Sequence, residues 1–199
     1  MDAEELLRFA VHANLQRSTG QGDIDENGVQ EKKEIWDRTS TNAWCRDACS
    51  KLPSMRRLRE KAAALTAVPE KNFELAQILR YQEGQFYATH NDIGELDFEA
   101  VAGPRMFTLF VYLNDVAEGG ETAFPRLNNV SARPKKGSAV LWSSVKEECN
   151  FFRCGFFKDD RTDHEAKPPI SGLKFAMNVW IHARAFSVAN LWGCSGSFA

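Results

Sequence analysis

The chain has 199 residues, with 25 Lys and Arg against 27 Asp and Glu and hence a formal net charge of −2; 43% of its residues are hydrophobic and 26% charged. That length suits one domain with a sizeable core, and the composition excludes a largely disordered chain. The balanced charge gives no reason to expect a nucleic-acid partner, and no apolar run approaches the ~18 residues needed to span a bilayer.

The opening MDAEELLRFAVHANLQRS is amphipathic and acidic at its start, without the basic and apolar regions of a signal peptide. Ala3, Leu6, Leu7, Ala10 and Val11 recur at helical spacing, which predicts a helix from Asp2 to about Arg17, stopped by Ser18-Thr19-Gly20, with His12 facing solvent. Residues 20–34 are polar and rich in Gly and Asp, and read as an exposed, mobile loop. After Pro53, Ser54 is the expected N-cap of a second helix, with Met55, Leu58, Ala62 and Leu65 on one side and a solvated Arg/Lys face.

Five cysteines leave at least one without a partner in the chain. Cys45 and Cys49 form one near pair, Cys149 and Cys154 another, and Cys194 stands alone. Two short disulfides and free or buried thiols suit these spacings equally. Without a further metal-type pair the spacings argue against zinc. The compartment stays open, an oxidising secretory one included.

From about residue 73 the texture changes to short β-type runs separated by Gly and Pro. Strands are predicted near Leu75–Tyr81, Gln85–Asn91, Arg105–Leu113, Ala139–Trp142 and Lys174–Ala183. Gly119-Gly120 marks a tight turn and Pro134-Lys135-Lys136-Gly137 a basic turn before a strand. Helices followed by many short strands predict a mainly β fold, a sandwich or jelly-roll barrel with helices on one outer face. The organisation expected is a single domain over 1–199, with a helical support over about 1–72 and a jelly-roll core over about 73–185.

The chemistry concentrates in the strand-rich part. In His90-Asn91-Asp92 the two-residue period of a strand points the imidazole and the carboxylate to one face. With His164, later in DRTDHEAKPP, they supply two histidines and one carboxylate, the donor set of a facial Fe(II) triad with three positions left open. In KFAMNVWIH, alternation puts Lys174, Ala176, Asn178, Trp180 and His182 on one face and an apolar set on the other. A lysine directed into a barrel requires an anion, which a dicarboxylate cosubstrate supplies.

The segments RYQEGQFYATHND, RMFTLFVYLNDVAEGGETAFP, PKKGSAVLW and DHEAKPPISGLKFAMNVWIH resemble, together and in order, the prolyl 4-hydroxylases among the Fe(II)/2-oxoglutarate-dependent dioxygenases. The resemblance runs from about Arg38 to His182. It implies a double-stranded β-helix in which His90, Asp92 and His164 hold iron and Lys174 pairs with the distal carboxylate of 2-oxoglutarate. It implies further that Tyr81 and Thr108 line the cosubstrate pocket, and that Tyr87, Arg105, Trp180 and His182 face a peptide. The implied reaction consumes O₂ and 2-oxoglutarate, releases succinate and CO₂, depends on ascorbate, and hydroxylates proline in proline-rich or collagen-like peptides. A related hydroxylase of a free amino acid or another side chain, and a non-catalytic module gripping proline-rich peptide through Tyr87, Trp180 and the phenylalanine-rich loop before His164, are the alternatives.

The chain departs from this family around its second histidine. His164 is followed by Glu-Ala-Lys-Pro-Pro rather than a small-residue run with Cys-Pro-Val, and the preceding CNFFRCGFFKDDRTD is long and phenylalanine-rich. Such an apolar segment marks either a partner surface or a loop folded over the barrel mouth.

Overall fold

The computed structural model describes residues 3–24, 30–94, 97–149 and 154–186; Cys194 and residues 150–153 of the phenylalanine-rich segment lie outside the described residues. Helix α1 (Ala3–His12) buries Leu6 and Ala10, one turn apart, with Glu4 and Glu5 at its positive end. It stops at His12 rather than near Arg17. Gln16–Arg17 (β1) instead pairs with Thr41–Trp44 (β4) as an edge strand, a tertiary pairing that helical spacing does not reveal. The segment expected as a loop contains a two-stranded antiparallel ribbon, Gly20–Ile24 (β2) against Gln30–Lys33 (β3), because a paired backbone needs no apolar alternation to be satisfied.

Helix α2 (Asp47–Ser50) is tied to the end of β4 by a Cys45–Cys49 disulfide. In α3 (Pro53–Thr66) the N-cap is Leu52 rather than Ser54, with Pro53 at the start, where a missing N–H is tolerated. The Ser54 N–H donates to Glu5 Oε2 at 2.9 Å, so α1 caps α3. Met55, Leu58 and Ala62 are buried, whereas Leu65 in the last turn is 68% exposed.

The remaining strands follow in order: Gln77–Tyr81 (β5), Tyr87–His90 (β6), Arg105–Tyr112 (β7), Glu118–Gly119 (β8), Thr122–Phe124 (β9), Val130–Ala132 (β10), Ala139–Ser143 (β11), Val145–Cys149 (β12), Cys154–Lys158 (β13), His164–Ala166 (β14), Pro169–Ser171 (β15) and Lys174–His182 (β16). A six-stranded sheet runs β1-β4-β5-β16-β7-β11 and a four-stranded sheet β10-β9-β14-β6. Every strand pair is antiparallel. The N-terminal part is therefore more than a helical support, since it contributes β1 and β4 to the larger sheet.

The larger sheet is buried on both faces. On its outer face Ile78, Leu109, Val111, Phe175, Met177, Val179 and Ile181 pack against Leu6, Ala10, Met55, Leu58 and Ala62 of the helices. On its inner face Leu79, Tyr81, Phe110, Tyr112 and Ala176 meet Phe124 and Ala166 of the smaller sheet. Among the described residues the two sheets face one another as a double-stranded β-helix without joining into a closed hydrogen-bonded barrel. Along β16 one side chain in two therefore faces the helices and the next faces the space between the sheets.

Gly119 and Gly120 have φ of 76° and 74°. A Cβ at Gly119 would stand 2.6 Å from the Pro168 carbonyl oxygen, so only glycine lets β8 pair with β15. β12 and β13 form a hairpin joined by a Cys149–Cys154 disulfide, with Phe156 and Phe157 exposed on it.

Candidate active site

His90 ends β6 and His164 begins β14, and the two residues are direct partners across that strand pair. Asp92 lies two residues beyond His90. One donor atom from each of the three lies within 4.8 Å of the others. His90 Nδ1 is 2.8 Å from the Ala88 carbonyl oxygen and His164 Nδ1 is 3.0 Å from that of Thr162. A carbonyl only accepts, so each Nδ1 carries the proton and each Nε2 turns a lone pair to the cluster.

The Thr108 hydroxyl donates to Asp92 Oδ2 at 2.6 Å, so this buried threonine supports the carboxylate of the cluster. Burial acts to raise the Asp92 carboxyl. The facing imidazoles, Arg105 and the Thr108 hydroxyl outweigh it, and the carboxyl lies below its ordinary value. Burial, with His164 alongside, pushes His90 down to about 3. A neutral imidazole at His90 and an ionised carboxylate at Asp92 are the protonation states that a metal requires of such ligands. A second grouping, Glu147 with Cys149 and Cys154, is exposed, and its sulfurs are joined in the disulfide, so it offers no thiolate.

Lys174 opens β16 on the same inner face, directly opposite Tyr81 of β5. It is 0% exposed, and its Nζ has no hydrogen-bond partner. Instead the ammonium lies over the rings of Tyr81, Phe110 and Tyr112, at 5.0, 5.2 and 5.6 Å from their centroids. Burial pulls it down to about 7, against a weaker opposing pull from Glu121. Burial likewise pushes the Tyr81 hydroxyl up. Gly120 abuts the lysine stem: a Cβ there would lie 3.5 Å from Lys174 Cδ.

Tyr87 stacks on His90 with ring centroids 3.5 Å apart, and Arg38 covers the tyrosine at 4.7 Å. Arg105 lies over Trp180 at 3.9 Å, and Trp44 packs on the same indole at 6.1 Å. Arg105 is also clamped by Glu74, with Nε donating to Oε1 at 2.6 Å and Nη2 to Oε2 at 3.2 Å. Its Nη1 donates to the Asp92 carbonyl oxygen at 3.5 Å. His182 uses both nitrogens internally, Nδ1 on the Gly103 carbonyl at 2.7 Å and Nε2 on Glu74 Oε1 at 2.6 Å. The structure thus gathers Tyr87, Arg105 and Trp180 beside the cluster and sets His182 behind them as a support.

Glu74, Trp142, Trp44 and Arg38 are the participants that motif reasoning missed. Glu74 carries no signal in its spacing. Trp142 is legible as the residue opposite Thr108, and its ring lies 4.6 Å from that of His164. Trp142 Nε1, Trp180 Nε1 and Lys174 Nζ are all buried without partners. These three orphaned groups on the inner face are donors, which fits a ligand made of acceptors, as an oxo-dicarboxylate and a peptide carbonyl are.

Facing antiparallel sheets around two histidines and one carboxylate define a non-haem iron oxygenase site. Residues 76–182 match the family model of the 2OG-Fe(II) oxygenase superfamily, and the chain belongs to it; the chain spans just under two thirds of the length of prolyl 4-hydroxylases 1 and 2 of Arabidopsis thaliana, to which it is similar. It is 31% identical over 196 residues to Prolyl 4-hydroxylase 1 of Arabidopsis thaliana, a match spanning 92% of this chain and 65% of that protein. It is 33% identical over 150 residues to Prolyl 4-hydroxylase subunit alpha-2 of Gallus gallus, covering 74% of this chain and 26% of that one. Among solved structures, the viral collagen prolyl hydroxylase of Paramecium Bursaria Chlorella virus-1, in its 2OG complex, aligns with a TM-score of 0.61 at 28% identity, over 74% of this chain and 80% of that chain. No helix among the described residues is long and apolar enough to cross a membrane.

Proposed function

We propose that this chain is a peptidyl-prolyl 4-hydroxylase acting with Fe(II), 2-oxoglutarate and O₂ on proline-rich or collagen-like peptide, with ascorbate as its supporting reductant. His90, Asp92 and His164 would hold the iron through two Nε2 lone pairs and one carboxylate oxygen, leaving positions open for the keto acid and O₂. When bound, the iron and keto acid supply the oxidising power that breaks an unactivated C–H bond, with succinate and CO₂ as by-products.

The residues of this chain supply binding, orientation and shelter. Lys174, its charge compensated only when an anion arrives, would grip the distal carboxylate, while Tyr81, Phe110 and Tyr112 keep water away from that pair. Thr108 fixes the Asp92 carboxylate. Tyr87 and Trp180 would flank a proline ring beside the cluster, and Arg105 would offer a donor to the adjacent peptide carbonyl, with Glu74 and His182 holding the guanidinium in place. The observation that carries the reading is the fully buried, unpartnered ammonium of Lys174 on the inner face of the larger sheet, opposite the smaller sheet that carries His90 and His164.

The test is an anaerobic titration with Fe(II) and then 2-oxoglutarate, followed by aerobic incubation with proline-containing peptides. A weak visible charge-transfer band, then succinate and a 16 Da gain on proline, is the expected outcome, lost in His90→Ala and Asp92→Ala variants that stay folded. A band with the oxygen placed on another acceptor points to the rival hydroxylase. No band and no succinate with any peptide leaves only a binding module.

A further inference from the structure

The three donors of the cluster come from two segments, one carrying His90 and Asp92 and the other His164, so their geometry depends on how these segments are held together. The β6–β14 ladder does only part of this. It pairs His164 with His90 and Ala166 with Tyr87, with a register irregularity between the two pairs, and Asp92 lies past its end.

Asn91 closes that gap. It lies between His90 and Asp92, just past the end of β6, and Asp163 lies immediately before His164 at the start of β14. The two meet, Asn91 Nδ2 donating to Asp163 Oδ1 at 2.8 Å and to the Asp159 carbonyl oxygen at 3.3 Å. Asn91 Oδ1 accepts the Ile93 N–H at 3.0 Å, so both ends of the amide are engaged and its orientation is fixed. The second oxygen of the largely buried Asp163 carboxylate faces Arg126 Nη1 at 3.1 Å, which supplies its counter-charge from the turn after β9.

We propose that Asn91 and Asp163, neutralised by Arg126, form a clasp that sets the spacing of the metal-binding donors. They are positioning residues and not ligands, and the proposal rests on reading His90, Asp92 and His164 as the metal site. Partners of this kind change metal affinity by roughly 10–100-fold when removed, because the ligands keep their chemistry and lose their pre-set geometry.

The experiment measures Mn(II) affinity by electron paramagnetic resonance, together with the melting temperature of the metal-free full chain. The proteins compared are the wild type, Asn91→Ala, Asn91→Asp, the double variant Asn91→Asp/Asp163→Asn, and His164→Ala as a control. Asn91→Ala is expected to weaken Mn(II) about 10–100-fold with little change in melting temperature. Asn91→Asp sets two carboxylates against each other and weakens it at least as far. The double variant, with the new amide at 163 donating to the new carboxylate at 91, restores most of the affinity. Unchanged affinity in both single variants, a loss that tracks a lowered melting temperature, or a double variant no better than Asn91→Asp overturns the clasp. If Asn91→Ala does not fold, the last comparison decides alone. A wild type that takes up no Mn(II), or a His164→Ala variant that binds it equally well, removes the metal-site reading and the clasp with it.

Discussion

Replacing Lys174 with methionine removes a fully buried charge that has no hydrogen-bond partner, and that burial sets the sign and size of the effect. Burial takes this ammonium from its usual 10.5 down to about 7. At about 1.4 kcal/mol for each tenfold change in proton affinity, the gap is about 5 kcal/mol against charging the empty pocket. Because the unfolded chain holds the proton more tightly, the penalty is fully present below about pH 7, declines as pH rises toward 10.5, and vanishes above it. Lys174→Met keeps the length and drops the charge. Without cosubstrate it is therefore expected to be more stable than the wild type by up to about 5 kcal/mol at pH 6 and about 2 kcal/mol at pH 9. In a chain of this size that is ~10–20 °C in melting temperature at the lower pH. Thermal melts at both pH values, with and without 2-oxoglutarate, check this. The wild type gains stability from the keto acid and the variant does not, and wild-type affinity falls up to about tenfold per pH unit above about 7. A Lys174→Met protein that melts below the wild type at pH 6 would refute the reasoning, because the ammonium would then be balanced within the fold and not waiting for an anion.

Thr108→Val removes the hydroxyl that donates to Asp92 and should weaken Mn(II) by roughly tenfold at pH 6; equal affinity would make that hydrogen bond incidental. Glu74 is held at about 2 because Arg105 and His182 outweigh a burial effect that by itself would raise it. A depressed carboxyl stabilises the fold above its ordinary value of 4.5 and loses that contribution, about 3 kcal/mol, as pH falls toward 2. Glu74→Gln should thus cost ~3–5 kcal/mol at neutral pH and flatten the acid limb of the stability curve. An acid limb identical to the wild type would show that Glu74 is not the titrating group. Gly119→Ala drives a methyl to 2.6 Å from the Pro168 carbonyl at a φ of 76° and should lose ~1–3 kcal/mol in chemical denaturation; a neutral result would mean that β8 and β15 can part freely.

What was legible in the sequence was what alternation and spacing encode. KFAMNVWIH separates its two faces in the structure as it does on paper, since a two-residue period survives any packing. The strands β5, β6, β7, β11 and β16 all fall within or close to their predicted spans. The missing elements depend on partners far along the chain. β1 is two residues whose strand character comes wholly from β4. Ser54 looked like a cap because the Glu5 carboxylate that meets its N–H lies on another helix. Glu74 escaped because a lone glutamate has no periodicity. Only the fold brings Arg105 and His182, far apart in the chain but partners across the β7–β16 pair, onto its carboxylate.

The two faces of β16 also explain how the fold tolerates an ammonium it does not neutralise. Phe175, Met177, Val179 and Ile181 are buried against the helices. At ~1.5–3 kcal/mol each, their burial outweighs the penalty at Lys174 by about 1–7 kcal/mol. The strand is thus anchored from its outer side, and its inner side is free to carry unpartnered donors. This division predicts a direction of coupling: an anion that removes the Lys174 penalty adds to a strand already held in place, so the gain appears as ligand affinity and raised melting temperature without a rearranged backbone. Were the outer face less apolar, the same anion would first have to order β16, and much of that affinity would be consumed in folding the strand.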